Sequence, residues 1–381
     1  MMDILVISIS AFLVILGAYL VSAVAEALQY HYSDTFIACI IALLQTLPEY
    51  AFVVHLTLIG YSDLAFASII GANILLIGMG YPVVIFVAYL SGAKGVKEDK
   101  SLDLMRENAA ESVFLAISGA YMIYIALKGH IDLYDGFILL ILFIIYMYII
   151  TRLPPEVETE ELSGIAKKFV NRKLLSVIVL IASVPLIWFS AEVFTEGLVA
   201  ISEKYAWISP ILLVVVLAPL VSEMPEKLTA YIGAARNEDM ARLGICNFMS
   251  SKVNNGTLLF STMVLAMMVE QKTIHVSLSV AHVSEFMILA GALTLLGAFT
   301  TIDRRITLIE GFILIGVYAL LMYSLIDEAY IMYSAMLIAV LGITILLYAI
   351  KDRRFYWISD FKYTLGLIKR KQESVEPTPT Q

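Results

Sequence analysis

The sequence predicts an all-α integral membrane protein, because its composition is too apolar and its apolar runs are too long for a soluble fold. Of its 381 residues, 60% are hydrophobic and 15% are charged, and the mean hydropathy is +0.88. Soluble domains are about 45–50% apolar and about 25% charged. This composition disfavours soluble enzymes, nucleic-acid-binding proteins and secreted disulfide scaffolds. The net charge of −8 also argues against a nucleic-acid partner.

About eleven transmembrane helices are predicted, since a hydrocarbon core of ~30 Å takes about 20 helical residues to cross. The first run lacks a basic n-region and is too long for a signal peptide, so we expect it to be retained. Cys39 and Cys246 both lie in apolar runs, so neither a disulfide framework nor a thiolate metal site is predicted. The predicted spans are residues 4–25, 35–59, 64–90, 109–127, 136–151, 174–200, 208–232, 243–269, 282–301, 306–325 and 330–350.

The distribution of Lys and Arg predicts the orientation of these spans, because cytoplasmic loops are enriched in both residues. One side of the membrane holds 20 of the 25 cationic residues, and the other side holds Lys128, Lys204 and Lys272. One miscounted span would exchange the sides of all later loops and destroy this asymmetry. We therefore expect an outside N-terminus and a cytoplasmic C-terminus, in the plasma membrane. The basic side comprises 91–108, 152–173, 233–242, 302–305 and the tail 351–381.

An internal repeat relates the two halves of the chain. QTLPE and VSEMPE each carry a Pro-Glu pair, 177 residues apart, followed by about seven helical residues and a Gly-containing turn. With five spans per unit, the second copy starts from the opposite side, as in secondary transporters whose broken helices meet near the midplane. We expect a first five-helix repeat at 1–155, a second, inverted five-helix repeat at 170–325, an extra helix at 330–350 and a basic cytoplasmic tail at 351–381, whose end has a disordered composition.

Glu49 and Glu226, the glutamates of the two pairs, lie well inside their predicted spans. Each proline removes a backbone donor and frees the carbonyl group four residues earlier, and in lipid that carbonyl must find a partner. A bound cation is one such partner, with the adjacent carboxylate as a second ligand. Buried carboxylates in membrane spans mark ion or proton pathways by default. The alternative is a structural hydrogen bond or salt bridge, which the repetition of the pair disfavours.

Further oxygen-bearing side chains precede the two glutamates at helical spacing and recur in the helix that follows each turn. Such ligands suit hard cations such as Ca²⁺ or Na⁺. For the Ser/Asn positions of the later helix, the alternative is hydrogen bonding between helices. The predicted cation-binding residues are Glu49, Glu226, Glu223, Gln45, Thr46, Ser222, Ser251, Asn255 and Asn73.

Lys252 lies near the middle of its predicted span, where an isolated ammonium group is costly. We expect it to compensate the charge of Glu223 or of one Pro-Glu carboxylate. The alternative is that its side chain reaches a lipid headgroup or a loop acid.

Three other polar residues lie nearer the outer ends of their spans. Glu192 and Glu196 are predicted to form a solvated face or to line an access path. His55 is predicted to be packed or interfacial.

QTLPE and VSEMPE resemble the Gly-Thr-Ser-x-Pro-Glu motifs of the cation/calcium exchanger superfamily, which includes sodium/calcium and calcium/proton exchangers. ASIIGANILL and CNFMSSKVNN resemble its Gly-Asn-x-x-Gly-Ser-Asn-x-x-Asn motifs. The resemblance implies alternating-access exchange of Ca²⁺ against Na⁺ or H⁺, with Glu49 and Glu226 as central metal ligands. It implies no cofactor besides the transported Ca²⁺ and Na⁺ or H⁺. The implied partners are inorganic cations and the lipid bilayer.

Several positions depart from those motifs and leave the transported ions open. The first copy loses two potential oxygen ligands at Ala72 and Leu76, and the second replaces an Asn by Lys252. The alternatives are an H⁺- or Na⁺-coupled exchanger for another cation and a degenerate, non-transporting homologue. A membrane enzyme is disfavoured, because the chain has no HExxH, Gly-x-Ser-x-Gly or phosphate-loop motif.

Overall fold

The protein is described by a computed structural model that is mostly helical, which confirms the predicted fold class. Gln45 and the first part of the predicted span 35–59 lie outside the described residues. The structure describes residues 2–29, 46–96, 101–152, 166–204, 210–277, 283–352 and 354–375.

The helices of the first half begin and end close to the predicted spans. The long helix after the Gly60 turn changes to π-helical geometry over Leu76–Gly80 and then continues as an α-helix. The helices are α1 (Met2–Gln29), α2 (Leu47–Leu58), α3 (Ser62–Leu75), α4 (Tyr81–Leu90), α5 (Ala109–Lys128) and α6 (Leu133–Ile150).

The second half follows the same plan, with a π-helical segment at Asn255–Leu259. The π segments begin 179 residues apart, which is the 177-residue interval of the Pro-Glu pairs plus two residues added in the second turn. Such segments often occur at functional sites. The helices are α7 (Ala166–Val170), α8 (Lys173–Lys204), α9 (Pro210–Ala234), α10 (Glu238–Asn254), α11 (Phe260–Gln271), α12 (Val283–Phe299), α13 (Leu308–Ile326), α14 (Ile331–Lys351) and α15 (Trp357–Val375).

Within the described ranges, seven helices are long and apolar enough to cross a membrane, so the total of eleven spans stays a prediction.

The fraction of buried residues distinguishes a central helix from peripheral helices. In the continuous helix Ser62–Leu90, 83% of the apolar window is buried, against 28–33% in α1, α6, α8, α13 and α14. The outward faces of these peripheral helices carry exposed side chains such as Leu174 and Ile309, as lipid contact requires.

Equivalent helices of the two halves pack against each other, α1 on α8 and α5 on α12. This is the pairing that a two-fold relation between the halves would give. At the α5–α12 contact, a Cβ atom on Gly291 would lie 2.7 Å from the carbonyl oxygen of Gly119. Only glycine permits this approach, and close contact of backbones is how helices associate in lipid.

Short strands join the loops on each side of the helical bundle. β1 (Ser101–Asp103) pairs antiparallel with β4 (Arg305–Thr307), and both strands lie in or next to loops of the predicted basic side. β2 (His130–Asp132) pairs with β3 (His275–Ser277) on the opposite side. The loops that the charge distribution assigns to one side are therefore neighbours in space.

The C-terminal tail contains a helix, α15, that the sequence analysis did not predict. Its Asp360 is 1% exposed and accepts hydrogen bonds from the guanidinium groups of Arg106, at 3.2 Å, and Arg304. Arg106 also stacks on Tyr363, with its Cζ atom 4.1 Å from the ring centroid. These contacts attach the tail to the basic side of the bundle, beside the first residues of α5.

Candidate cation-binding site

Glu49 lies in the first turn of α2, a position that Pro48 helps to define. Proline is favoured in the first turn of a helix because its missing N–H would have no helical partner there. The carbonyl oxygen of Thr46 accepts hydrogen bonds from the amides of Glu49 and Tyr50, at 3.1 and 3.3 Å. Glu49 is 5% exposed. The positive end of the helix dipole favours a carboxylate at this position.

The second Pro-Glu pair does not break its helix, which corrects the expectation of two broken helices. α9 runs without interruption from Pro210 to Ala234, through Pro219 and Pro225. Pro219 and Pro225 free the carbonyl groups of Val215 and Val221, four residues earlier, without ending the helix.

The carbonyl group of Val215 lies directly against α3. A Cβ atom on Gly71 of α3 would lie 2.1 Å from the carbonyl oxygen of Val215. The missing side chain at Gly71 and the missing N–H at Pro219 together let α3 and α9 pass in direct backbone contact. This brings the polar residues of α9 close to those of α3.

Glu223 is the most connected charged group among the described site residues. Its side chain is 0% exposed and lies beside the carboxyl group of Glu49. Its Oε2 atom accepts a hydrogen bond from the ammonium group of Lys227, one helical turn later. Lys252 of α10 also attracts it electrostatically.

The hydrogen-bonded ion pair of Glu223 is formed with Lys227, whose spacing of four residues on α9 places both groups on one face. Charge compensation by Lys252 stays a prediction. Lys252 is 0% exposed, and its Nζ atom has no hydrogen-bond partner among the described residues. Lys252 thus lies near Glu223 without forming a hydrogen bond to it.

Two of the predicted amide ligands are buried with unused hydrogen-bonding groups. Asn73 and Asn255 are each 0% exposed, and within the described ranges neither side-chain amide atom of either residue has a hydrogen-bond partner. Asn255 begins the second π-helical segment, and Asn73 lies three residues before the first. Burial of an unpaired amide is costly, so both groups are suited to bind a ligand.

The remaining predicted residues lie around this centre. Thr46, Ser222 and Ser251 are buried, and Ser222 donates to the carbonyl oxygen of Pro219 at 3.5 Å. Glu226 lies on α9 three residues after Glu223, so the two positions share a helix face. The structure describes the backbone of Glu226 but not its side chain, and it does not cover Gln45.

Sequence reasoning missed Lys227, Tyr50 and Asn254. The hydroxyl group of Tyr50 donates to Oδ1 of Asn254 at 3.0 Å, which joins α2 to α10 beside Glu49. Lys227 had a signal, since a lysine four residues after a glutamate is a helical ion-pair spacing. Tyr50 had none, because its partner is 204 residues away.

The fold and the site define a membrane carrier protein with buried carboxyl, ammonium and amide groups at its centre. The chain belongs to the sodium/calcium exchanger protein family, whose model matches residues 2–152 and 175–326. This confirms the resemblance drawn from the Pro-Glu motifs.

Solved structures of exchangers are similar to this fold. The H⁺/Ca²⁺ exchanger CAX is 27% identical, with a TM-score of 0.85 over 96% of this chain and 92% of that one. The sodium-calcium exchanger NCX_Mj is 17% identical, with a TM-score of 0.57 over 85% of this chain and 99% of that one. No curated protein matches the sequence.

Proposed function

We propose that this protein is a secondary active antiporter that exchanges Ca²⁺ for H⁺ by alternating access at Glu49, Glu223 and Glu226. The observation that carries this proposal is the proximity of two buried carboxyl groups, those of Glu49 and Glu223. Two ionised carboxylates in a buried site repel each other, which favours a proton on one of them. The pair would then hold a proton at oxygens that a Ca²⁺ ion would also bind.

Burial couples the two ions. Glu49 and Glu223 are 5% and 1% exposed, and an unpaired carboxylate is costly at this depth. The empty, ionised site therefore cannot change its exposure from one side to the other. Binding of Ca²⁺ displaces the shared proton, and return of the carrier requires a proton again. Each carrier cycle then moves the two ions in opposite directions.

The side chains around the pair favour H⁺ over Na⁺ as the counter-ion. Lys252 lies at the repeat position that Asn73 occupies in the first half, and its side chain offers no oxygen ligand to Na⁺. Ala72 and Leu76 supply no oxygen where the family motifs have Ser and Asn. The H⁺/Ca²⁺ exchanger CAX, at 27% identity, supports the same choice.

The same proposal includes an outside N-terminus and a cytoplasmic C-terminus in the plasma membrane. It is supported by the 20-to-3 distribution of Lys and Arg and by the pairing of basic-side loops through β1 and β4. A reporter fused to the C-terminus should respond only from the cytoplasm. A reporter reached only from outside would contradict this orientation.

Isotopic Ca²⁺ uptake into proteoliposomes tests the transport proposal. We expect uptake when the lumen is acidic and the medium is neutral, and little uptake when Na⁺ alone is loaded at uniform pH. Glu49→Gln should abolish uptake, because the amide cannot release a proton or supply the negative charge that Ca²⁺ needs.

The matched control is Asp239→Asn, which neutralises a carboxylate whose side chain is 81% exposed at the start of α10. It should leave uptake unchanged. Equal uptake under the Na⁺ gradient would overturn H⁺ coupling, and undiminished uptake by folded Glu49→Gln would overturn the assigned site.

A further inference from the structure

Away from the central site, three metal-ligating side chains converge between α2 and α8. Their ligand atoms, one each from His55, Glu192 and Glu196, all lie within 4.8 Å of one another. Nε2 of His55 is 3.6 Å from Oε1 of Glu196. The sequence analysis treated the glutamates and the histidine as unrelated groups, whereas the fold brings them together across an interface between the two halves.

Local packing fixes this arrangement. Glu192 and Glu196 are four residues apart on α8 and therefore share a helix face. Between them, Phe194 packs on Phe52 of α2, with ring centroids 5.5 Å apart. His55 follows Phe52 by three residues on the same helix. The aromatic contact therefore holds the imidazole opposite the two carboxylates.

We propose that His55, Glu192 and Glu196 form a binding site for a divalent transition-metal ion such as Zn²⁺. Zinc binds imidazole nitrogen and carboxylate oxygen at about 2.0–2.2 Å in tetrahedral geometry, which puts neighbouring donor atoms roughly 3.3–3.6 Å apart. The observed 3.6 Å between His55 and Glu196 fits that spacing. Three protein ligands leave the fourth position open to water.

The environment of the histidine is the second observation that points to a metal. The Nε2 atom of His55 is buried and makes no hydrogen bond to any described residue, although it faces two carboxylates. Glu196 is 58% exposed, so an ion can reach the site from solvent. Two carboxylates and a neutral imidazole match the charge of one dication.

The ligand set separates this site chemically from the central one. Ca²⁺ prefers oxygen ligands only, whereas an imidazole suits Zn²⁺ and its neighbours. The site would therefore select a transition-metal ion against the proposed cargo. Because α2 and α8 belong to different halves, a bound ion would cross-link the halves near the predicted outer end of the bundle.

Binding of Co²⁺ to purified protein in detergent tests the site, because tetrahedral Co²⁺ has visible absorption bands that report ligand geometry. We expect one Co²⁺ per chain, displaced by Zn²⁺, and a rise in Tm with Zn²⁺. His55→Ala and Glu196→Gln should each weaken binding at least tenfold and remove the rise in Tm. Glu196→Gln alters a mostly exposed side chain, so it keeps the test valid if His55→Ala fails to fold.

The matched control is His130→Ala. His130 lies near a carboxylate, with its Nε2 atom 3.9 Å from Oδ2 of Asp132, but it does not belong to the three-residue cluster. Its variant should bind Co²⁺ as the wild type does. Absence of the tetrahedral bands in wild type, or bands unchanged in folded Glu196→Gln, would overturn the proposal. Neither readout depends on transport, so the result is independent of the proposed antiport.

Discussion

Replacement of Lys227 by alanine should strongly destabilise the protein, because it leaves the Glu223 carboxylate without its hydrogen-bonded cation. The side chains of Glu223 and Lys227 are 0% and 6% exposed, so neither group can be rehydrated in place. Breaking a buried ion pair by removing one partner costs about 3–5 kcal/mol. Lys252 still attracts Glu223, so we expect a value near the lower end, ~3 kcal/mol.

The double variant Lys227→Ala/Glu223→Gln separates the loss of the pair from the loss of packing. It removes both charges, and we expect it to recover most of the stability, since replacing a buried pair by neutral groups is often nearly neutral. Lys351→Ala, at an exposed lysine, is the control. Thermal unfolding in detergent measures all three variants. Equal destabilisation of the single and double variants would refute the reasoning, because packing alone would then explain both.

Two further changes test the fold around the site. Gly71→Ala should lower stability by about 1–3 kcal/mol in thermal unfolding, because overpacking against a backbone is costly and its Cβ would lie 2.1 Å from the Val215 carbonyl oxygen. Gly316→Ala, where a Cβ would meet nothing within 4 Å, should not do so, and equal losses would contradict this account. Arg304→Ala should release α15, because Asp360 loses its bidentate partner. Amide exchange in α15 should then rise about tenfold, and unchanged exchange would show that the ion pair does not hold the helix.

Much of the architecture could be predicted because lipid imposes local rules. Backbone groups in hydrocarbon must be paired, so each span is a helix. Because such a helix lies in lipid, it is recognised in the sequence as one long apolar run. The repeat could also be recognised from the sequence, because Pro48 and Pro225 are each followed by glutamate. The continuity of α9 through Pro225 was not predictable, because it depends on packing from other helices.

The features that were missed depend on contacts between distant segments. The helix α15 is polar and leads into a tail of disordered composition, and its placement rests on Arg106 and Arg304, residues far from Asp360 in the sequence. His55 and Glu196 likewise come from opposite halves of the chain. No local pattern shows which helix faces will pack together. The sequence therefore identifies such residues as candidates but does not show that they are in contact.

Local spacing carried a signal, not used in the sequence prediction, where both partners share a helix. Glu223 and Lys227 are four residues apart, and this alone indicates the ion pair. The choice between Lys227 and Lys252 required the rotation of α10 relative to α9, which hydropathy does not encode.

The exchange of H⁺ for Ca²⁺ is tested most directly by measuring both fluxes in the same vesicles. Proteoliposomes free of Na⁺ would carry a pH-sensitive dye in the lumen and receive isotopic Ca²⁺ outside. The proposal that Glu49 and Glu223 share a proton predicts that each Ca²⁺ taken up releases H⁺ from the lumen, and that Glu49→Gln abolishes both fluxes together. Ca²⁺ uptake that leaves luminal pH unchanged at fixed membrane potential, or that begins only when Na⁺ is added, would contradict it.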